Sequence, residues 1–141
     1  MVNCEYILSL FNDSFITRLE NSITKQYKYH ITDTSTVDWL MSHHPGYTLA
    51  GAVIGFKYET GDYLDWHKDN MYYKGANLTG GVTLNEDFTG GAFELEDGTY
   101  IDQTPGKVFT LGRNILHRVT KIQSGTRYSL HYSLLSESKL I

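Results

Sequence analysis

Five residues carry the chemistry legible in this chain: His67-x-Asp69, then His117, then Arg127-x-Ser129. Two imidazoles and one carboxylate can take three facial positions on a metal, a set suited to non-haem Fe(II) that leaves open positions for substrate and O2. In a strand, residues i and i+2 point to the same face, so His67 and Asp69 can reach one ion. His117, arriving on a later strand, closes the set. Arg127 offers a planar fork that can hold a carboxylate through two parallel charge-assisted hydrogen bonds. A metal with open positions beside such a clamp suits 2-oxoglutarate, whose keto-acid end chelates iron and whose far carboxylate needs a cation.

Strands must position these side chains, and the last one is the most legible. From Thr126 to Leu135, Arg127, Ser129, His131 and Ser133 fall on one face while Tyr128, Leu130, Tyr132 and Leu134 fall on the other. An apolar face towards a packing layer and a polar face towards an interior suit a barrel wall. Ala50 to Tyr58 is a nearly continuous apolar run, consistent with a strand buried on both faces. Tyr63 to Lys68 reads as the next strand and Leu78 to Leu84 as another, weakened by Gly80-Gly81. Phe93 to Glu96, Asp97-Gly98 and Thr99 to Ile101 predict a hairpin with a two-residue type I′ turn. Lys107 to Leu111 and Ile115 to Ile122 follow as strands, with turns at Pro105-Gly106 and Ser124-Gly125.

The start of the chain reads differently. Tyr6 to Phe11 suggests a short apolar strand. Asp13 or Ser14 then offers an N-cap, and Phe15, Ile16, Leu19 and Ile23 recur at helical spacing, which predicts a helix ending near Lys25 or Gln26. A second helix is expected from Thr36 to His43, stopped by Pro45-Gly46. Seven or eight short strands after two helices indicate a mainly β, two-sheet jelly roll.

Composition agrees with that class and narrows the partners. At 141 residues a single domain over 1–141 is expected, and eleven Tyr, six Phe and two Trp favour strands over a helical bundle. A net charge of −4 without a basic run speaks against nucleic acid or an anionic membrane surface. Cys4 is the only cysteine, so no intrachain disulfide can form. Neither a secretory signal nor a membrane span is readable, which predicts a soluble, cytoplasmic setting.

The chain resembles the Fe(II)/2-oxoglutarate-dependent dioxygenases, in the prolyl 4-hydroxylase-like branch. The likeness runs from about Val53 to Leu134. It comprises Tyr58, Gly61 and Leu64 before His67-x-Asp69, then Leu84-Asn85, Gly90-Gly91-Ala92-Phe93 and Pro105-Gly106-Lys107-Val108-Phe109. His117, Gly125 and Arg127 complete the order. Two departures stand out. Arg127 takes a position where collagen-type relatives usually carry Lys, and Thr83 takes one where many carry Tyr.

The resemblance implies a double-stranded β-helix with N-terminal helices packed on one sheet. It implies Fe(II) held by His67, Asp69 and His117, and 2-oxoglutarate held at its C5 carboxylate by Arg127, with Ser129, Tyr58 and Thr83 as further contacts. O2 would be the second co-substrate and ascorbate an optional reductant. The product set would be succinate, CO2 and a hydroxylated substrate, a prolyl residue in a peptide or protein by analogy with the branch. A free amino acid or other small metabolite is the alternative substrate, and a non-catalytic jelly-roll binding module the alternative of another class. A nucleic-acid demethylase is disfavoured, since those relatives carry a second Arg where Ser133 stands here. The 70–75 loop and Arg113-Asn114 are the expected substrate contacts. His131 is a candidate pocket residue, Trp66 a candidate for the core or for packing behind the metal ligands rather than for stacking on substrate, and His43-His44 a solvated pair.

Overall fold

The alternation of the last strand organises the molecule. β11 (Arg127–Ser136) pairs antiparallel with β3 (Tyr47–Tyr58) on one side and with β5 (Ala76–Thr83) on the other. In this computed structural model, which describes residues 2–12, 16–69 and 76–136, these are inner strands of a nine-stranded antiparallel sheet. The others are β1 (Thr17–Glu20), β2 (Thr24–Ile31), β4 (Tyr63–His67), β7 (Phe93–Leu95), β8 (Phe109–Gly112) and β9 (His117–Val119). Their order is β7-β9-β4-β2-β3-β11-β5-β8, with β1 flanking β2. β6 (Phe88–Gly90) and β10 (Ile122–Gly125) form a separate two-stranded sheet. The large sheet curls into a half-barrel, consistent with a double-stranded β-helix.

Each face of the curled sheet has its own core. On one face Leu130, Tyr132 and Leu134 of β11 pack with Val53, Val82, Tyr29 and Ile31. Two helices cover them: α1 (Cys4–Leu8), which buries Ile7 completely, and α2 (Thr34–Met41), which does the same with Leu40. Asn3 caps α1 by accepting from the Tyr6 amide, and Asp33 caps α2 by accepting from that of Thr36. The Tyr6 hydroxyl donates to the same Asp33 carboxylate at 2.9 Å, tying the two helices together. On the other face Arg127, Ser129, His131 and Ser133 look towards a second cluster built on Tyr58, Phe93, Leu111 and Val119. The alternation in β11 is therefore borne out, and it separates the packing face from the face that carries the polar residues.

Four expectations need correction. Residues 6–11 form no strand; Cys4 to Leu8 is helical, because Asn3 supplies a cap ahead of it. The expected helix ending near Gln26 is instead the β1–β2 hairpin wherever it is described. The Asn21 side chain accepts from the amides of Ile23 and Thr24, making a turn, and Ile23 is half exposed rather than on a buried helical stripe. The 95–99 hairpin has a three-residue loop: Gly98 alone has positive φ, while the Asp97 carboxylate accepts from Thr99. Ile115 to Ile122 is not one strand, since the chain leaves β9 at Val119 and joins the small sheet as β10. No helix among the described residues is long and apolar enough to cross a membrane.

Candidate metal centre

β4 and β9 pair antiparallel with His67 directly opposite His117. β4 stops at His67, so Asp69 lies two residues beyond the ladder rather than within it. Its carboxylate still reaches the two rings. Asp69 Oδ1 is 3.2 Å from His117 Nε2 and 3.6 Å from His67 Nε2, and the ring centroids are 4.2 Å apart. Two ligands at right angles about 2.1 Å from one ion are separated by about 3 Å. Both carboxylate–imidazole distances come near that spacing, all three ligand atoms lie within 4.8 Å of one another, and no other such trio converges among the described residues.

The contacts behind the rings decide which nitrogen faces the centre. His67 Nδ1 lies 2.8 Å from the Asp65 carbonyl, and His117 Nδ1 lies 2.8 Å from the Ile115 carbonyl. A carbonyl only accepts, so each Nδ1 carries a proton and each Nε2 is turned to the shared point. Without a cation there, either imidazole lone pairs face a carboxylate or the rings must be charged. Burial works against charge on His67, yet the nearby Asp69 carboxylate and the hydrogen bond to the Asp65 carbonyl lift its pKa above the ordinary value. Burial likewise opposes ionised Asp69, but the adjoining His117 and His67 rings outweigh it and hold the carboxyl well below the usual range. Asp69 Oδ2 is buried without a hydrogen-bond partner. A divalent cation at the shared point would take both imidazole lone pairs and offset the carboxylate charge, so the donor set fits Fe(II).

Arg127 is fully buried, yet no carboxylate pairs with it among the described residues. Its Nε and Nη2 donate to Gln103 Oε1 at 2.9 and 2.7 Å, and its Nη1 donates to Ser129 Oγ at 3.1 Å. The guanidinium carbon lies 5.1 Å over the ring of Tyr58, the residue opposite it in β3. The Tyr58 hydroxyl is buried with no partner, and burial pushes its pKa up to about 12. Thr83, opposite Ser129 in β5, donates to Gln103 Oε1 at 3.2 Å. Arg127, Ser129, Tyr58 and Thr83 thus share one neighbourhood. An unpaired buried cation beside an orphaned phenol is suited to an anion.

A cavity of ≈ 410 Å³ opens beside the three ligands. Ile54, Phe56 and Leu64 give it an apolar wall, while Thr79, His131 and Ser133 give it a polar one. Burial pushes His131 down to about 3, so its ring is neutral at neutral pH. Arg127 is outside the lining, and ring contacts run from His117 through Phe93, His131 and Phe56 to Tyr58, over which its guanidinium lies.

The comparisons with solved structures bear on this arrangement. An oxidoreductase of the 2OG-Fe(II) oxygenase family from Burkholderia pseudomallei superposes with TM-score 0.72 at 14% identity, over 93% of this chain and 77% of that one. A prolyl-4-hydroxylase from Pseudomonas putida gives 0.70 at 14% identity, covering 95% and 82%. A prolyl hydroxylase from Trichoplax adhaerens, in complex with a hypoxia inducible factor oxygen degradation domain peptide fragment, gives 0.72 at 19% identity, covering 96% and 77%. This chain has their fold. No family model matches the sequence, and no match is found among curated proteins.

Other sequence expectations fare unevenly. His131 does line the cavity. Trp66 is not core: it is 38% exposed, with the Arg118 guanidinium 4.7 Å from its ring. His43 is exposed, but His44 is buried with Nε2 2.6 Å from the Tyr132 hydroxyl, so the pair is not jointly solvated. Arg113 and Asn114 are exposed, and the 70–75 loop lies outside the described residues. Gln103 was not foreseen. A glutamine two residues before Pro105 has no spacing that marks it, and only the fold brings it to Arg127.

Proposed function

We propose that this protein is an Fe(II)- and 2-oxoglutarate-dependent dioxygenase that hydroxylates a C–H bond of a prolyl residue in a peptide or protein. One observation carries the reading: two Nε2 atoms and Asp69 Oδ1 converge on one point while backbone carbonyls hold both Nδ1 protons on the far side. Fe(II) bound there supplies O2 chemistry coupled to oxidative decarboxylation of 2-oxoglutarate, which yields succinate, CO2 and a hydroxylated substrate. His67, Asp69 and His117 would hold the ion. The Asp69 charge offsets part of the ion's charge. Arg127 takes the C5 carboxylate, with Ser129 steadying one terminal nitrogen and the Tyr58 hydroxyl free to donate.

The prolyl assignment rests on two supports. Both the Pseudomonas putida and the Trichoplax adhaerens structures are prolyl hydroxylases, the latter with a peptide bound. The wall of Ile54, Phe56 and Leu64 also suits a pyrrolidine ring more than a charged side chain. The test is succinate formation from 2-oxoglutarate, with and without a panel of proline peptides and free amino acids. Turnover that depends on Fe(II) and adds one oxygen to a proline peptide is expected. Oxidation of free amino acids with every peptide inert would replace the peptidyl reading by a small-metabolite one. No coupled or uncoupled succinate under any condition would remove the oxygenase reading altogether.

A further inference from the structure

The guanidinium of Arg127 is held by a neutral acceptor. Gln103 Nε2 donates to the Gly91 carbonyl at 2.9 Å, and since that carbonyl only accepts, the amide is fixed with Oε1 towards Arg127. Oε1 then spans Nε and Nη2, and Thr83 donates to it as well. Ser129 takes one donor of Nη1. An arginine has five N–H donors, so one on each terminal nitrogen remains. A buried arginine usually meets a carboxylate, which neutralises it and fills its fork. Here the side-on edge is filled without any loss of charge.

We infer that Gln103 is a positioning residue for co-substrate binding. It fixes the plane of Arg127 while leaving the full positive charge, and a donor on each terminal nitrogen, for the distal carboxylate of 2-oxoglutarate. This rests on the oxygenase reading above. An acidic residue at 103 would reach the same edge of Arg127, but it would cancel the charge that the co-substrate needs and would lose the donor to the Gly91 carbonyl. Glutamine is the uncharged side chain of the same shape. The rival arrangement, in which Oε1 occupies the carboxylate's own seat and must leave, makes the opposite prediction, because removing Gln103 would then tighten binding.

Anaerobic calorimetry on the full chain loaded with Mn(II) separates these cases, using 2-oxoglutarate and 2-oxopentanoate. The second ligand keeps the keto-acid end and carries a methyl group in place of the distal carboxylate. Gln103→Ala should weaken 2-oxoglutarate by about tenfold, the loss of a hydrogen bond to a charged group, with 2-oxopentanoate and Mn(II) unchanged. Gln103→Glu, which preserves shape and should fold even if the alanine variant does not, should weaken 2-oxoglutarate by at least about a hundredfold. Equal weakening of both keto acids, wild-type affinity in either variant, or tighter binding in Gln103→Ala overturns the inference. Arg127→Ala separates the two failures. If it too leaves 2-oxoglutarate unchanged, the clamp reading falls; if it abolishes binding while the Gln103 variants are silent, only the role of Gln103 falls.

Discussion

At the scale of single residues, the centre sets one carboxylate against two imidazoles. Burial opposes charge on Asp69, but the adjoining His117 and His67 rings hold its carboxyl below the usual range, and Oδ2 makes no hydrogen bond. Asp69→Ala removes the only carboxylate among the three converging side chains. It should abolish metal binding and turnover while leaving the fold in place, since Asp69 lies beyond the end of β4. Equilibrium dialysis with Mn(II) beside a urea melt checks both halves; a variant that binds metal as wild type would end the triad assignment. Arg127 is the converse case. Losing one partner of a desolvated ion pair costs about 3–5 kcal/mol, so Arg127→Ala should weaken 2-oxoglutarate more than about a hundredfold without altering Mn(II) affinity. Calorimetry reads this directly, and an unchanged constant would move the clamp elsewhere. The convergence of His67, Asp69 and His117 was legible because few arrangements other than a shared ion ask for His-x-Asp and a distant His. Gln103 and His44 were not, because an amide or an imidazole becomes informative only once its partner across the fold is known.

At the scale of elements, the legible strands were those with one polar and one apolar face, and the misread ones drew their pattern from a turn. Ile16, Leu19 and Ile23 imitate a helical stripe, but Asn21 reverses the chain between them and the period never operates. The Gly80-Gly81 pair, which weakened the reading of β5 in sequence, turns out to be a packing device. A Cβ on Gly80 would collide with the Tyr132 ring, and one on Gly81 would collide with Phe109. Tyr132 cannot easily retreat, being buried and bonded to His44. Gly80→Ala should therefore destabilise the fold by about 1–3 kcal/mol despite alanine's better intrinsic propensity. Urea denaturation would measure it. No loss of stability would mean that Tyr132 has room to move, and that β5 carries its glycines for another reason.

At the scale of the whole molecule, the curled sheet divides the labour: the helix-covered face supplies apolar burial, and the other face carries paired and unpaired charge. That division ties stability to metal and to pH in a definite direction. The Asp69 carboxyl is held below its unfolded value, so its stabilising contribution is present above about pH 4 and fades as pH falls through the folded value. The His67 pKa is raised, so its contribution is complete below about pH 6.5 and fades as pH rises through the folded value. The metal-free centre thus holds the fold best between about pH 4 and 6.5. Metal needs the imidazoles unprotonated, so it competes with the same protons and gains as they leave. At a hundred times its dissociation constant an ion adds about 2.7 kcal/mol, roughly 5–10 °C for a chain of this size. The gap in melting temperature between Mn(II)-loaded and metal-free protein should accordingly widen from pH 6 to pH 8, and should vanish in His117→Ala. Scanning fluorimetry across that range is enough to decide. A gap independent of pH, or one that survives the loss of His117, would mean that the ion binds somewhere other than between these three side chains.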